Sequence, residues 1–281
     1  MSAGKKLLIL SLAFAAALAI VLYPFFANIH NNLRQEQLIA EYEENVSGID
    51  AAELEEAFEA ALEYNLSLVS ASGNALYEEL DSQEIYESLL NITGDGMMGY
   101  ITIPEIGLNL PVYHYSDDEV LKKGVGHIET SSLPVGGEST HCILTGHRGL
   151  PGSSLFTDLD QLEVGDLFFV TVLDKILAYE ITSIEVVLPT EVDSLAVFSG
   201  KDLCTLVTCT PYGINSHRLL VTGTRVEYTD EMYSSESGTG ISKAFSADYA
   251  LLYAAFSELV LYAALAAAIM LKDRKRRMRK L

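Results

Sequence analysis

Apolar residues crowd the two ends of the chain. Residues 7–29 carry no charge and follow Lys5-Lys6; residues 249–271 carry only Glu258 and precede the run KDRKRRMRK. A helix rising about 1.5 Å per residue crosses the hydrocarbon of a bilayer in about 20 residues, so both stretches are long enough to span it. Lysines and arginines beside a span stay on the cytoplasmic side. Both flanks therefore predict cytoplasmic ends and an exported middle, residues 30–248. A cleaved signal peptide is the alternative for the first stretch, although its apolar run is long and no small-x-small site precedes the polar region. Glu258 is costly in lipid, which predicts a protein partner for it or a neutral carboxyl.

Between the spans the period changes once. Over residues 31–95 Leu54, Phe58, Ala61, Leu62 and Leu68 recur mostly at three- and four-residue spacing with Glu between them, a helical pattern. Asp50 is a predicted N-cap, with Glu53 three residues on. Gly73-Asn74 interrupts the pattern and the NITGDG stretch ends it. Short runs of alternating or β-branched apolar residues follow at 99–104, 111–115, 142–145, 167–173, 177–187, 202–208 and 219–226, separated by Gly, Pro, Ser or Asp. Such spacing predicts a mainly β sandwich or barrel. The expected organisation is an anchor or signal segment (7–29), an acidic helical arm (31–95), a β domain (96–228), a linker (229–248) containing SSESGTG, a second span (249–271) and a basic tail (272–281).

Charge follows this partition. Nine of the 18 Lys and Arg flank the spans, whereas 37 of the 39 Asp and Glu lie between them, giving the exported part a net charge near −28. Such a surface repels nucleic acid. The three cysteines leave at least one thiol unpaired within the chain. There is no CxxC, no Cys/His set at zinc spacing, no P-loop and no GxGxxG, so no metal or nucleotide cofactor is expected.

The remaining chemistry gathers around TLVTCTPYGINSHRLLVTGTR, residues 205–225, where a strand-like run delivers Cys209 to a Thr-Pro-Tyr-Gly turn. A free thiol has a pKa near 8.5 and is mostly protonated at pH 7, so a nucleophilic cysteine needs a cationic neighbour, usually histidine. Of six histidines, His147 stands in LTGHRG at the end of a strand and the start of a Gly/Pro-rich loop. His217, eight residues from Cys209, is its rival. Arg218 begins the strand after Cys209, where a guanidinium can donate to a developing oxyanion; Arg148 is the alternative arginine.

These residues resemble a known family. TLVTCTPYGINSHRLLVTGTR is similar to the TLxTC…R signature of sortases, the cysteine transpeptidases of Gram-positive cell surfaces. GHIETSSLPVGGESTHCILTGHRGLPGSSLFTDLDQLEVGD resembles the histidine region of the class C, pilus-polymerising members, and MGYITIPEIGLNLPVYH their first strands. The resemblance covers residues 95–228. It implies an eight-stranded sortase-type β-barrel with an N-terminal helical arm and a transmembrane helix near each terminus. It implies Cys209 as nucleophile, His147 as acid/base and Arg218 as substrate-orienting group, with Thr208 helping to shape the oxyanion site. It gives His217 the place just before the family arginine.

The implied partners are an LPXTG-like sorting signal, a pilin lysine amine as acceptor, and the membrane; no cofactor is implied. Many class C members carry an Asp-Pro-aromatic lid over the cysteine, and no Asp-Pro occurs here. A lid from residues 73–82, with Tyr77 and Asp81, is the remaining expectation. If the strands carrying Cys142 and Cys204 run parallel, as that fold implies, the two thiols are neighbours, expected as small buried hydrophobes rather than a disulfide. Three other readings compete: a sortase that anchors proteins to the cell-wall precursor, a non-catalytic surface assembly module, and a hydrolytic cysteine protease.

Overall fold

The structure is a computed structural model that describes residues 3–71, 79–150, 152–233 and, apart from 258, 265 and 269, 256–270. Helix α1 (Ala3–Ser47) runs without a break from the first apolar stretch into the arm. The arm therefore does not begin as a separate element at residue 31. Residues 30–47 contain no glycine or proline, so nothing there stops the helix until Gly48. Over its first half Leu8, Leu12, Ile20, Tyr23 and Phe26 are all more than half exposed. A helix apolar all round and uncovered by protein is suited to lipid. Of the second predicted span, a short apolar helix, Leu259–Ala268, is described. It lies against α1, with the Tyr262 ring stacked on Phe14 at 4.1 Å and the Tyr262 hydroxyl donating to Ser11 Oγ at 2.5 Å. Most of the linker and the basic tail fall outside the described residues.

Helix α2 (Ala51–Ala71) starts at the predicted cap: the Ala52 N–H donates to Asp50 Oδ1 at 2.9 Å. Its buried side chains Leu54, Phe58 and Ala61 lie on one face with Asn65. The Asn65 amide donates to the Leu133 carbonyl and accepts from the Leu133 N–H, clasping a loop of the β domain. The second half of α1 buries Ile39, Tyr42 and Val46, and the Tyr42 hydroxyl donates to Met98 O and accepts from Leu173 N–H. Helix α3 (Glu79–Ser88) buries Tyr86, whose hydroxyl stands 2.8 Å from His127 Nδ1. The arm is thus packed onto the barrel by buried, hydrogen-bonded contacts along three helices.

Eight strands close the barrel: β1 (Met97–Ile103), β2 (Leu108–Tyr113), β3 (Val125–His127), β4 (Thr140–Thr145), β5 (Leu167–Val172), β6 (Lys175–Val187), β7 (Asp202–Thr210) and β8 (His217–Val226). They are ordered β1-β2-β3-β4-β7-β8-β6-β5. The pairs β2/β3 and β4/β7 are parallel and the rest antiparallel. The expected barrel is borne out. The strand absent from the sequence pattern is β3, whose three residues are too few to display a period of two. Inward-facing Ile101, Ile103, Leu144, Phe168, Val170, Tyr179, Leu206 and Val221 fill the interior, each 2% exposed or less. A short helix, α4 (Asp118–Lys123), joins β2 to β3 and is capped by the Asp117 carboxylate accepting from the Glu119 and Val120 amides.

Candidate active site

The parallel pair β4/β7 sets the site. Thr140 faces Asp202, and each rung upward keeps that offset to Thr145 and Val207. The pairing continues past the end of β4: the Gly146 N–H donates to Val207 O at 3.1 Å, and Thr208 Oγ1 donates to Gly146 O at 2.8 Å. One residue beyond stands His147, two residues past the end of β4. On the other side of β7, Arg218 in β8 is the direct antiparallel partner of Cys209. Residues directly opposite each other across a sheet project from the same face. Cys209 and Arg218 therefore share one rung at the rim of the barrel, and His147 leaves the strand that flanks β7 on its other side.

Gly146 is required by packing. A Cβ there would come within 2.7 Å of the Phe156 ring, which is fully buried. That ring sits against the turn where the chain leaves β4, and the Phe156 N–H donates back to His147 O at 3.1 Å. The Gly149 N–H donates to Thr157 Oγ1 at 3.1 Å. The loop that carries His147 is folded upon itself. It is also docked on α1, with the Asn31 amide donating to Gly152 O at 2.5 Å and Ser154 Oγ to Asn28 Oδ1 at 3.0 Å.

Cys209 is half-buried and free. It is not past the strand, as the run 202–208 suggests, but inside β7, one residue from its end. Thr208 is 1% exposed, and its hydroxyl is spent on Gly146 O. It orients the strand end and does not reach toward an oxyanion, a correction to its expected role. His147 Nε2 lies 3.6 Å from Asp118 Oδ1 at the start of α4. Lys122 holds the same carboxylate at 2.7 Å. The Asp118 carboxyl is lowered from its ordinary range by Lys122 first and His147 second. Asp118 does not emerge from the sequence, since 28 residues, including two strands, lie between it and His147.

The two candidate arginines have different environments. Arg218 Nη1 donates to the carbonyls of Asn215 and His217, at 3.3 and 3.0 Å, and among the described residues it forms no ion pair. Arg148 is 7% exposed in its side chain and ion-paired with Asp160. Its Nη1 donates to Thr210 Oγ1 at 3.0 Å, and its Nε is buried without a partner. His217 opposes Thr210, and its Nδ1 lies 2.9 Å from its neighbour Ser216 Oγ.

Beside the rung, Tyr212 and Ile214 follow Cys209 with 61% and 71% exposure. No group of three His, Cys, Asp or Glu side chains suited to a metal is found among the described residues. Cys142 and Cys204 are paired across β4/β7, buried and free. Burial pushes the Cys142 thiol well up, and its neighbour Cys204 adds to the effect. Of the lid expectation, Tyr77 lies outside the described residues. Asp81 lies in α3 with its side chain undescribed.

Residues 101–226 match the sortase domain family. The chain is 31% identical over 156 residues to sortase A of Streptococcus agalactiae serotype III, covering 54% of this chain and 61% of that protein. It is 30% identical over 131 residues to sortase D of Bacillus subtilis, covering 46% and 63%. The match thus spans about three fifths of these curated relatives. Among solved structures, sortase C1 of S. agalactiae is 43% identical with a TM-score of 0.64, over 69% of this chain and 100% of that one. Sortase C of Streptococcus pneumoniae, a structure described as giving insights into catalysis and pilin substrate specificity, is 42% identical with a TM-score of 0.61, over 69% and 98%. A lid mutant of the S. agalactiae enzyme matches at 42% and a TM-score of 0.62, over 69% and 99%.

Proposed function

Because the chain belongs to the sortase family and its solved relatives are of class C, we propose that it is a membrane-anchored cysteine transpeptidase that joins pilin subunits. The observation that carries this reading is the pairing of Cys209 with Arg218 at the rim of the barrel, with His147 at the exit of the neighbouring strand β4. In the proposed reaction an LPXTG-like sorting signal lies along the rim beside the exposed Tyr212 and Ile214. The Cys209 thiolate attacks the threonine carbonyl carbon, and the carbonyl π electrons move to oxygen. Arg218 donates to that oxyanion, where a preorganised donor acts most strongly. The tetrahedral intermediate collapses by breaking the Thr–Gly bond. His147, as imidazolium, gives its proton to the departing glycine amine.

A thioacyl-enzyme remains. A lysine amine of a pilin subunit attacks it, His147 takes the proton, and Cys209 leaves as thiolate when the isopeptide bond forms. The anchor is α1, whose first half exposes apolar side chains on all sides, with the apolar helix near the C-terminus beside it. The catalytic domain is then extracellular, and both ends are cytoplasmic if the first span is retained. A lid from residues 73–82 with Tyr77 and Asp81 remains part of the proposal.

The test is product analysis with an LPXTG peptide offered water, a glycine amine and a lysine-bearing pilin fragment together. Transfer to the lysine amine is expected. Transfer to the glycine amine would favour anchoring to the cell-wall precursor instead, release of free acid a hydrolase, and no cleavage a non-catalytic assembly module.

A further inference from the structure

The site described above uses Arg218 and leaves Arg148 without a task, although Arg148 immediately follows His147. Its environment is unusual for an arginine on so acidic a surface. The side chain is 7% exposed. One end of the guanidinium donates to the hydroxyl of Thr210, the residue just after Cys209; the other pairs with Asp160, in the middle of the short 3₁₀ turn Leu159–Gln161. Burying a guanidinium is costly unless its geometry is good and its donors are used. Here the cost is incurred with Nε still unpartnered. A buried polar group left unsatisfied calls for an explanation beyond stability.

The place of these contacts supplies one. β4 and β7 are knit together by their ladder only as far as Gly146 and Thr208. Beyond that rung β4 gives way to its loop, whereas β7 runs on against β8 as far as Thr210 before its turn. Two contacts tie the end of β7 and its turn to the loop after β4. Arg148 reaches across to Thr210, and the Tyr212 ring covers Gly149, where a Cβ would come within 2.7 Å of it. His147 and Cys209 therefore stand between a ladder below and a latch above. We infer that Arg148 is a positioning residue: its fork holds the turn after Cys209 to the loop after His147 and so sets the spacing of the catalytic pair. This deepens the proposed function and rests on it for the roles of His147 and Cys209.

The fork matters, because lysine is a point donor that cannot hold both partners in one plane. A misplacement of about 1 Å in a reacting pair costs on the order of 100-fold in rate. The experiment uses the full chain in detergent micelles, with Arg148→Lys, Thr210→Val, their double variant, and Thr210→Ser, which keeps the hydroxyl. Two quantities are read: kcat and KM for transfer, and the rate of iodoacetamide alkylation at pH 7. Alkylation of the folded chain reports on Cys209, since Cys142 and Cys204 are at most 2% exposed.

Arg148→Lys and Thr210→Val are each expected to lower kcat by on the order of 10–100-fold with KM changed by less than about threefold. Alkylation slows in parallel, because the imidazolium no longer sits where it stabilises the thiolate. The double variant is expected to be no worse than either single one, as members of one contact do not act additively. Thr210→Ser restores most of the loss. Single-variant losses that multiply in the double, or kcat and alkylation unchanged in a folded Arg148→Lys chain, would overturn the latch. Failure of the functional proposal looks different: the unmodified chain would transfer nothing, while alkylation at Cys209 would still respond to Arg148 and Thr210.

Discussion

His147 and Cys209 are 62 positions apart, the same separation that holds Thr145 to Val207 on the last rung of β4 and β7 below them. The register carries both chains to the same edge of the barrel, with His147 two residues past the end of β4 and Cys209 one residue before the end of β7. Thr208 extends the last rung by holding Gly146 O. Thr208→Val keeps the shape and removes the bond, leaving a buried carbonyl short of a donor. A loss of about 1–3 kcal/mol in unfolding free energy is expected by urea denaturation, with transfer falling as the histidine loop loosens.

Among the described residues Arg218 is hydrogen-bonded only to two backbone carbonyls, so its removal tests chemistry more than folding. Arg218→Lys is expected to lower kcat on the order of 100-fold or more, the scale of losing one oxyanion donor, with the thermal midpoint nearly unchanged. A loss of stability without a loss of kcat would return Arg218 to a structural role.

Asp118 lies against His147 from α4, with Lys122 as its competitor. Asp118→Asn removes the charged partner beside the ring, and transfer is expected to fall by less than about tenfold, since the contact is exposed and screened. Lys122→Ala, which frees the carboxylate for the ring, is expected to leave transfer unchanged or raise it. A loss in Lys122→Ala as large as that in Asp118→Asn would contradict the contact.

Away from the reaction, His127 joins the arm to the barrel. Burial lowers its pKa from 6.5 to about 4, against a smaller opposing effect of the Ser132 carbonyl. It is neutral in the fold, with Nε2 donating to Ser132 O and Nδ1 accepting from Tyr86. Between pH 6.5 and about 4 the unfolded chain binds a proton that the folded chain does not. Stability is therefore lost as pH falls through that window, by on the order of 3 kcal/mol. Burial lowers His141 too, in the same direction, whereas burial raises Asp202 and opposes it by favouring the folded state in acid. In His127→Gln the midpoint temperature is expected to fall less between pH 7 and 5 than in the unmodified chain.

Much of this was legible in the residue pattern, and the exceptions have physical causes. Seven strands announce themselves because they are long enough to alternate, whereas β3 has only three residues. Asp50 was readable as a cap because capping is a local interaction. The apolar run and the arm read as two elements because their composition changes near residue 30, yet the backbone of α1 responds to propensity and continues. Cys209, His147 and Arg218 were singled out by motif, whereas the burial and pairing of Arg148 leave no mark in the sequence. Asp160 and Thr210, which hold Arg148, give no sequence signal, because their roles exist only once β4 and β7 lie side by side. Asp118 is missed for the same reason.

The most direct test of the central claim is the intact mass of the full chain after brief exposure to an LPXTG peptide, with and without a lysine-bearing pilin fragment. The account predicts a thioester adduct on Cys209, absent in Cys209→Ala, that disappears when the lysine amine is added as the isopeptide product forms. A chain that acquires no adduct while Cys209 remains open to alkylation would contradict it.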